Sequence, residues 1–267
     1  DVAHVDVMHK ASTVLAAGAD FRLLGPRATE LASPVPVVAV CAVRTGCGKS
    51  PTSRLVCRHL MDAGLHVGLV RHPMPYGDLA AQAVQRFTTL AEIDAADPTI
   101  EEREEYELPV AMGVTVWAGA DYQAILDAAA AEADVLVWDG GNNDLPFFAP
   151  DVLIAVADAL RPGHETTYHP GEAVLRRADV VLVNKVDAAE PAVVDDLVAA
   201  IGVANPRASV IRAASPVTLD EGPSLAGVRV LCVEDGPTTT HGGQARGAAT
   251  AAAEAAGAVI VDGRASA

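Results

Sequence analysis

The stretch VVAVCAVRTGCGKSPTSR (residues 37–54) joins an apolar strand to a helix through a glycine-rich loop. Backbone N–H groups of such a loop surround phosphate oxygens, and this close approach requires glycine at two of its positions. A helix that begins at Ser50 adds the positive end of its dipole. Lys49 reaches the β- and γ-phosphates, and the hydroxyl of Ser50 binds Mg²⁺. The stretch therefore predicts a nucleotide site whose phosphate-binding residues are Thr45, Gly46, Cys47, Gly48, Lys49 and Ser50.

The loop departs from the usual pattern at one position, because Val43 stands where its first glycine is expected. One branch of the proteins with this loop carries a second basic residue early in it, as in KGGxGKS or KGGxGKT. Arg44 occupies that place, so its guanidinium is a candidate to stabilise charge on a transferring phosphoryl group. Two alternatives stay open. Arg44 pairs with a surface carboxylate instead, or the loop is a glycine-rich turn that binds no phosphate.

The composition excludes several classes of partner. Hydrophobic residues make up 51% of the 267 residues, which is enough for a sizeable core. The formal net charge of −16 argues against nucleic acid and anionic membranes, since both favour a basic face. An anionic substrate then needs a locally positive pocket. Four cysteines without paired spacing indicate a reduced, cytoplasmic setting, and no apolar run has the length of a membrane span.

Short apolar runs alternate with helical patterns along the chain, which is typical of βαβ units and a parallel sheet. Residues 1–33 read as the tail of a truncated N-terminal domain and a linker. Residues 34–267 then form the nucleotide-binding and catalytic domain, with its C-terminal end cut short. We expect an α/β fold with a mostly parallel, doubly wound sheet. The predicted strands are 36–41, 66–71, 114–118, 134–139, 152–157, 179–183, 208–212, 228–233 and 258–261, and the predicted helices are 49–62, 121–132, 190–201 and 244–256.

Polar segments directly follow these strands, so they should meet at the carboxyl edge of the sheet, where α/β proteins bind ligands. VLVWDGGNND (135–144) places Asp139 at a strand end, where a carboxylate holds Mg²⁺ directly or through water. Asn142, Asn143 and Asp144 are candidates to position water or substrate. The alternative is an ordinary turn built on Gly-Gly-Asn.

VVLVNKVD (180–187) matches the NKxD pattern of GTPases. In that interpretation Asp187 accepts hydrogen bonds from guanine, Asn184 braces neighbouring loops and Lys185 packs over the base. The alternative is a helix cap at Asp187, since aspartate is favoured there.

Three further segments supply candidate ligands for a second substrate: RHPMPYGD (71–78), RPGHETTYHPGE (161–172) and EDGPTTTHGGQARG (234–247). The histidines of the second segment lack the HExxH spacing of a zinc site, and Pro170-Gly171 keeps them off one helix face. A loop that senses the γ-phosphate or binds substrate is favoured there, and capped loops are the alternative for the other two. The charge run TIEEREEYE (99–107) is interpreted as a solvated helix face.

Together, AVRTGCGKSPTSR, VWDGGNNDLPFF, RPGHETTYHPGE, VLVNKVD and VEDGPTTTHGG resemble the cyclic 2,3-diphosphoglycerate synthetase family, over roughly residues 11–264. The resemblance implies a P-loop NTPase fold related to the metal-chaperone (SIMIBI) GTPases. It implies ATP and Mg²⁺ as cofactors and ring closure of 2,3-diphosphoglycerate, with release of ADP and phosphate. The NKxD pattern by itself indicates GTP instead. A GTPase switch of the metal-chaperone class is the alternative, although the chain carries no CPC, CxCC or His-rich metal-delivery motif.

The implied site can be stated residue by residue. The small substrate is anionic and phosphorylated, and a homodimer is compatible with the sequence. The catalytic candidates are Lys49, Arg44, Asp139 and His241; the base-side candidates are Asn184, Lys185 and Asp187; the substrate candidates are Arg71, His72, Arg161, His164, His169 and Thr240; the Mg²⁺ candidates are Ser50 and Asp139.

Overall fold

The computed structural model describes residues 2–72, 77–141, 144–234 and 247–263. In these ranges the strands are β1 (Val2–Ala3), β2 (Val37–Ala42), β3 (Val67–Arg71), β4 (Gln85–Phe87), β5 (Thr115–Ala118), β6 (Val135–Asp139), β7 (Val152–Asp158), β8 (Tyr168–His169), β9 (Val180–Asn184), β10 (Ser209–Arg212), β11 (Arg229–Val230) and β12 (Val259–Ile260). The helices are α1 (His4–Ala16), α2 (Lys49–Asp62), α3 (Leu90–Ala96), α4 (Ile100–Ala111), α5 (Tyr122–Ala130), α6 (Gly171–Arg177), α7 (Pro191–Ala204) and α8 (Ala248–Ala255).

Among the described residues, the main sheet has eight strands in the order β10-β9-β7-β2-β6-β3-β5-β4. All neighbouring strands are parallel except β4, which pairs antiparallel with β5 at the edge. Every residue of β3 and β6 is buried, as expected for strands that helices cover on both faces. The predicted α/β fold with a mostly parallel sheet is confirmed.

The strand β2 lies at the centre of this sheet, and the chain builds outward from it in both directions. Strands β6 and β3 lie on one side of β2, and β7 and β9 lie on the other. The crevice at the carboxyl ends of such strands is where open α/β sheets bind ligands. Register brings the strand ends level there: Arg71 pairs with Asp139 across β3 and β6, and Asp158 pairs with Asn184 across β7 and β9.

Two predicted strands lie outside the main sheet. The segments 228–233 and 258–261 contribute only the short strands β11 and β12, which pair in parallel with each other. Each holds two residues, too few to bury an apolar face against the central sheet. The segment 161–172 contains more regular structure than the predicted loop, because β8 pairs with β1 and α6 begins at Gly171.

The charge run 99–107 begins helix α4, as predicted, but the helix is not solvated on every side. Thr99 and Glu102 form a capping box that starts α4, and this contact buries Glu102. Tyr106 is also buried and stacks on Phe87, with ring centroids 5.1 Å apart. Glu102 and Tyr106 are four residues apart and so lie on one face of α4, and a count of charges does not reveal that buried face.

The start of α6 packs directly on the backbone of the glycine-rich loop, and this contact can be tested. A Cβ at Gly171 would overlap the carbonyl oxygen of Val43, which is backbone and cannot swing away. Gly171→Ala is therefore expected to destabilise the protein by about 1–3 kcal/mol, measured by denaturant unfolding.

Gly202→Ala is the matched control, because Gly202 lies within α7 and no atom lies within 4 Å of the added methyl. It is expected to stabilise the protein by up to about 1 kcal/mol, since alanine favours helix more than glycine does. Equal stability of the two variants would show that the contact at Val43 is absent.

Candidate functional site

The glycine-rich loop between β2 and α2 is braced from outside by three side chains. Its carbonyl oxygens at Thr45, Gly46 and Cys47 accept hydrogen bonds from Arg161 Nη2 at 2.7 Å, Lys185 Nζ at 2.7 Å and Asn184 Nδ2 at 2.9 Å, respectively. Three consecutive carbonyls are thus held, which helps fix the orientation of the peptide units between them. N–H groups gathered in such a turn form the concave surface that binds anions.

Glycine is required in this loop for two separate reasons. Gly46 and Gly48 both adopt left-handed backbone conformations, with φ of 80° and 98°. At Gly48 a Cβ would also overlap the amide nitrogen of Asn184. The close approach of Asn184 to the loop therefore depends on the second glycine.

Asp158 holds two of the three braces, and sequence reasoning missed it. Its Oδ2 accepts from Arg161 Nε at 3.0 Å and from Lys185 Nζ at 2.9 Å. The missed signal was its position at the end of β7, level with Asn184 at the end of β9. Arg161, predicted to bind substrate, is buried and braces the loop instead.

Beneath the loop, Asp139 receives donors on both carboxylate oxygens. Lys49 Nζ and Ser53 Oγ donate to Oδ1 at 2.6 Å and 2.8 Å. Arg71 Nη1 donates to Oδ2, and the other end of the Arg71 guanidinium forms a 2.9 Å ion pair with Glu105 of α4. Arg71 is only 1% exposed, so it is a buried partner of Asp139, a position that disfavours its predicted role in binding substrate.

These cations keep Asp139 ionised. Burial alone would raise the pKa of Asp139, but Arg71 and Lys49 hold it well below the usual carboxyl range. Burial together with the same two cations lowers the pKa of His72 to about 3. The imidazole of His72 is therefore neutral at physiological pH.

The donor types at this point fit a hard cation such as Mg²⁺, which prefers oxygen ligands. The hydroxyl of Ser50 lies on the first turn of α2, and Asp139 lies at the end of β6. In this structure Oδ1 of Asp139 accepts hydrogen bonds from both Lys49 and Ser53.

Arg44 lies against the segment that precedes α6. Its Nη1 is 2.7 Å from Nδ1 of His164, and its Cζ lies 4.0 Å from the ring centroid of Tyr168. Burial, Arg44 and Arg161 lower the pKa of His164, so the neutral ring accepts the hydrogen bond from Arg44. Sequence reasoning missed Tyr168, since an aromatic residue in a His-rich loop gave no sign of a cation–π contact.

The other predicted residues fall in three places. Asp187 accepts a hydrogen bond from the Ser215 N–H at 2.8 Å, which links the NKxD segment to the loop after β10. His169 lies on β8, opposite Val2, and burial and His4 lower its pKa. Asn142, Asn143, Thr240 and His241 lie outside the described residues.

Within the described ranges, no three His, Cys, Asp or Glu side chains are placed to hold a metal ion together. The described helices include none that is both long and apolar enough to span a bilayer. A cytoplasmic setting stays a prediction from composition.

The chain is 54% identical over 265 residues to a protein of Thermococcus kodakarensis named arginine synthetase ArcE. The match covers 99% of this chain and 59% of that protein, so the chain spans about three fifths of the relative's length. No protein-family model matches the chain.

Solved structures give weaker likenesses. Hydrogenase maturation factor HypB from Archaeoglobus fulgidus aligns at 15% identity and a TM-score of 0.41, over 70% of this chain and 83% of that one. LpxK from Aquifex aeolicus, solved with ATP, aligns at 18% identity and a TM-score of 0.43, over 67% of this chain and 54% of that one. From its own sheet and loop, this chain has the fold of a P-loop NTPase.

The Arg71–Asp139 pair should stabilise the fold strongly. Arg71→Met removes a buried cation and leaves Asp139 and Glu105 without it, so a loss of about 3–5 kcal/mol is expected. Because the pKa of Asp139 is depressed in the folded protein, its ionised form stabilises the fold at neutral pH, and that contribution disappears as the pH falls through the acid range. The deficit of Arg71→Met should therefore be largest near neutral pH and shrink in acid, as measured by urea unfolding.

Arg212→Met provides the control, because the pair of Arg212 with Asp195 is exposed on both sides. Its loss should cost no more than about 1 kcal/mol at any pH. Similar losses in both variants would contradict a structural role for the buried pair.

Proposed function

We propose that this chain is the nucleotide-binding part of an ATP-dependent synthetase. The observation that carries the proposal is the glycine-rich loop, which Arg161 braces from outside. The ammonium group of Lys49 follows this loop and is hydrogen-bonded to Asp139. Such a site transfers a phosphoryl group mainly by positioning it and neutralising its charge. The synthetase name of a relative that matches nearly the whole chain supports use of the phosphoryl group to form a bond.

In the proposed first step, the γ-phosphoryl group passes from ATP to an oxygen of the second substrate, and ADP leaves. Lys49 moves from Asp139 to the β- and γ-phosphates, and Arg44 leaves His164 to meet the charge that develops on the transferring group. Ser50 and Asp139 would hold Mg²⁺, which would neutralise phosphate charge. Asn184 and Lys185 keep bracing the loop, and Asp187 receives the base.

In the proposed second step, a nitrogen nucleophile displaces the phosphate. The relative's name indicates arginine as product, and arginine carries a guanidino group. A ureido oxygen is a poor leaving group. Once this oxygen carries a phosphoryl group, it can leave the carbon as inorganic phosphate. Ammonia then attacks the ureido carbon, the C–O bond breaks with its electrons on phosphate, and the added nitrogen loses one proton to solvent. ATP, a ureido amino acid and ammonia thus yield arginine, ADP and phosphate.

Closure of 2,3-diphosphoglycerate to its cyclic anhydride is the second candidate. It is supported by the resemblance of the five quoted motifs and uses the same first step, with a substrate phosphate as acceptor. The second phosphate of the substrate then attacks and expels inorganic phosphate. GTP hydrolysis by a switch protein is the third outcome, to which the NKxD pattern points.

One experiment separates these activities. The full-length protein is incubated with Mg²⁺ and either ATP or GTP, and each mixture receives a ureido amino acid with ammonia, 2,3-diphosphoglycerate, or neither. Phosphorus NMR and amino-acid analysis are the readouts. Arginine formation with ATP supports the proposal, and a cyclic anhydride signal supports the second candidate. Hydrolysis of GTP alone, independent of any substrate, would overturn both.

Lys49→Met should abolish phosphoryl transfer, since the charge on the β- and γ-phosphates then lacks its main partner. We expect a fall of roughly a thousandfold or more in kcat, by analogy with the loss of other charge-stabilising groups in such sites. Lys10→Met is the control, because Lys10 lies exposed on α1. If Lys49→Met turned over at the wild-type rate, the assignment of Lys49 to the phosphoryl-transfer site would be wrong.

A further inference from the structure

Two consecutive glycines follow Asp139, and their role is not conformational. Neither Gly140 nor Gly141 adopts a left-handed backbone, so other residues could satisfy their φ angles. What excludes a side chain is the crowding of polar atoms. A Cβ at 140 would lie 2.7 Å from Trp138 Nε1, and one at 141 would lie 2.5 Å from Asp144 Oδ1 and 2.9 Å from His72 Nδ1. The double glycine thus lets these side chains converge.

Asp144 is the unusual member of this group. Both of its carboxylate oxygens are buried, and no described side chain donates a hydrogen bond to either of them. The nearest cations do not pair with it, since Lys49 and Arg71 are both bound to Asp139. An ionised carboxylate held away from water without a partner is costly. Such a group indicates a ligand that supplies the missing donors.

The surroundings indicate what kind of donor fits. Burial raises the pKa of Asp144 to about 6, although Lys49, nearby backbone N–H groups and Arg71 oppose the rise. The carboxylate is therefore still mainly ionised at neutral pH. It would repel a polyphosphate and attract N–H groups of a neutral or positively charged head group.

Aromatic rings form one side of the same region. Trp138 contacts Tyr122, Phe147 and Phe148, with ring centroids 5.2–5.5 Å away. Trp138 is fully buried, and its indole N–H also has no partner in the described part of the chain. Trp138 and Phe148 are closed to solvent, so these rings form core packing behind Gly140 and do not themselves line a ligand site.

We propose that Asp144 recognises the nitrogen-bearing head group of the second substrate, a ureido or guanidino group, and holds it beside Lys49. Asp144 accepts N–H hydrogen bonds from this group, and the absence of a side chain at Gly141 lets the Asp144 carboxylate lie beside His72. The inference rests on the proposed function, and it favours the nitrogen substrate over 2,3-diphosphoglycerate.

The test measures binding to full-length wild type and Asp144→Asn by calorimetry, with arginine, 2,3-diphosphoglycerate and ATP as probes. Asp144→Asn should weaken arginine binding roughly tenfold or more, since a charge-assisted hydrogen bond is lost. Its affinity for ATP should stay within about twofold of wild type, and 2,3-diphosphoglycerate should bind no more weakly. Asp62→Asn removes the same charge from an exposed position at the far end of α2 and should change none of these affinities.

A second readout separates recognition from a structural role. Because Asp144→Asn removes an unpartnered buried charge, its melting temperature should equal or exceed that of wild type. A purely structural Asp144 would instead lower the melting temperature together with all three affinities. Asp144→Glu is the companion variant: it keeps the charge, displaces it by one methylene, and should weaken arginine binding selectively.

The outcomes distinguish this inference from the proposed function. Arginine binding within about twofold of wild type in both Asp144 variants overturns the inference, even if the protein makes arginine. Binding of 2,3-diphosphoglycerate but not arginine by wild type overturns it as well. If no arginine forms in the turnover assay while arginine still binds through Asp144, the inference stands and the proposed reaction fails.

Discussion

The carboxylate of Asp139 connects the sheet to the phosphate loop. It lies at the end of β6, where register sets it beside Arg71 of β3, and it reaches Lys49 and Ser53 on the first turns of α2. Because Arg71 also pairs with Glu105, the network extends from the central strands to α4. A buried carboxylate between two cations remains charged at all physiological pH values. That fixed charge positions Lys49 before any nucleotide binds. A shift in register between β3 and β6 would separate Arg71 from Asp139 and break this network.

The sequence was sufficient for the architecture and for the phosphate loop, because both follow from local patterns. A continuous apolar run such as β6 predicts a buried strand from its own residues, and the Gly-x-Gly-Lys-Ser turn predicts a phosphate loop in the same way. The prediction was weaker where a residue acts through distant partners. Arg71 and Arg161 were assigned to substrate by residue type, yet burial makes each a brace for another charged or polar group. Asp158 was missed because its importance depends on β7 lying beside β9, and strand order is not written in local sequence.

The local charge at the phosphate loop differs from the net charge of the chain. A net charge of −16 disfavours phosphorylated ligands in general. Four cations, however, belong to or contact the loop region: Arg44, Lys49, Arg161 and Lys185. Asp139 and Asp158 offset only part of their positive charge. The loop is therefore a locally positive region in an acidic chain, and in our proposal Asp144 supplies a separate negative charge for the nitrogen-bearing substrate.

The outward bracing of the loop carbonyls has a consequence for selectivity among nucleotides. Since Arg161, Lys185 and Asn184 already fix the loop, little order is lost when a nucleotide enters, and preorganised sites of this kind bind with a reduced entropic penalty. The remaining obstacle is the separation of Lys49 from Asp139. Only a ligand with enough negative charge at the far end of its phosphate chain replaces what Lys49 gives up. The ion pair thus acts as a threshold for charge, which a triphosphate passes more readily than a monophosphate.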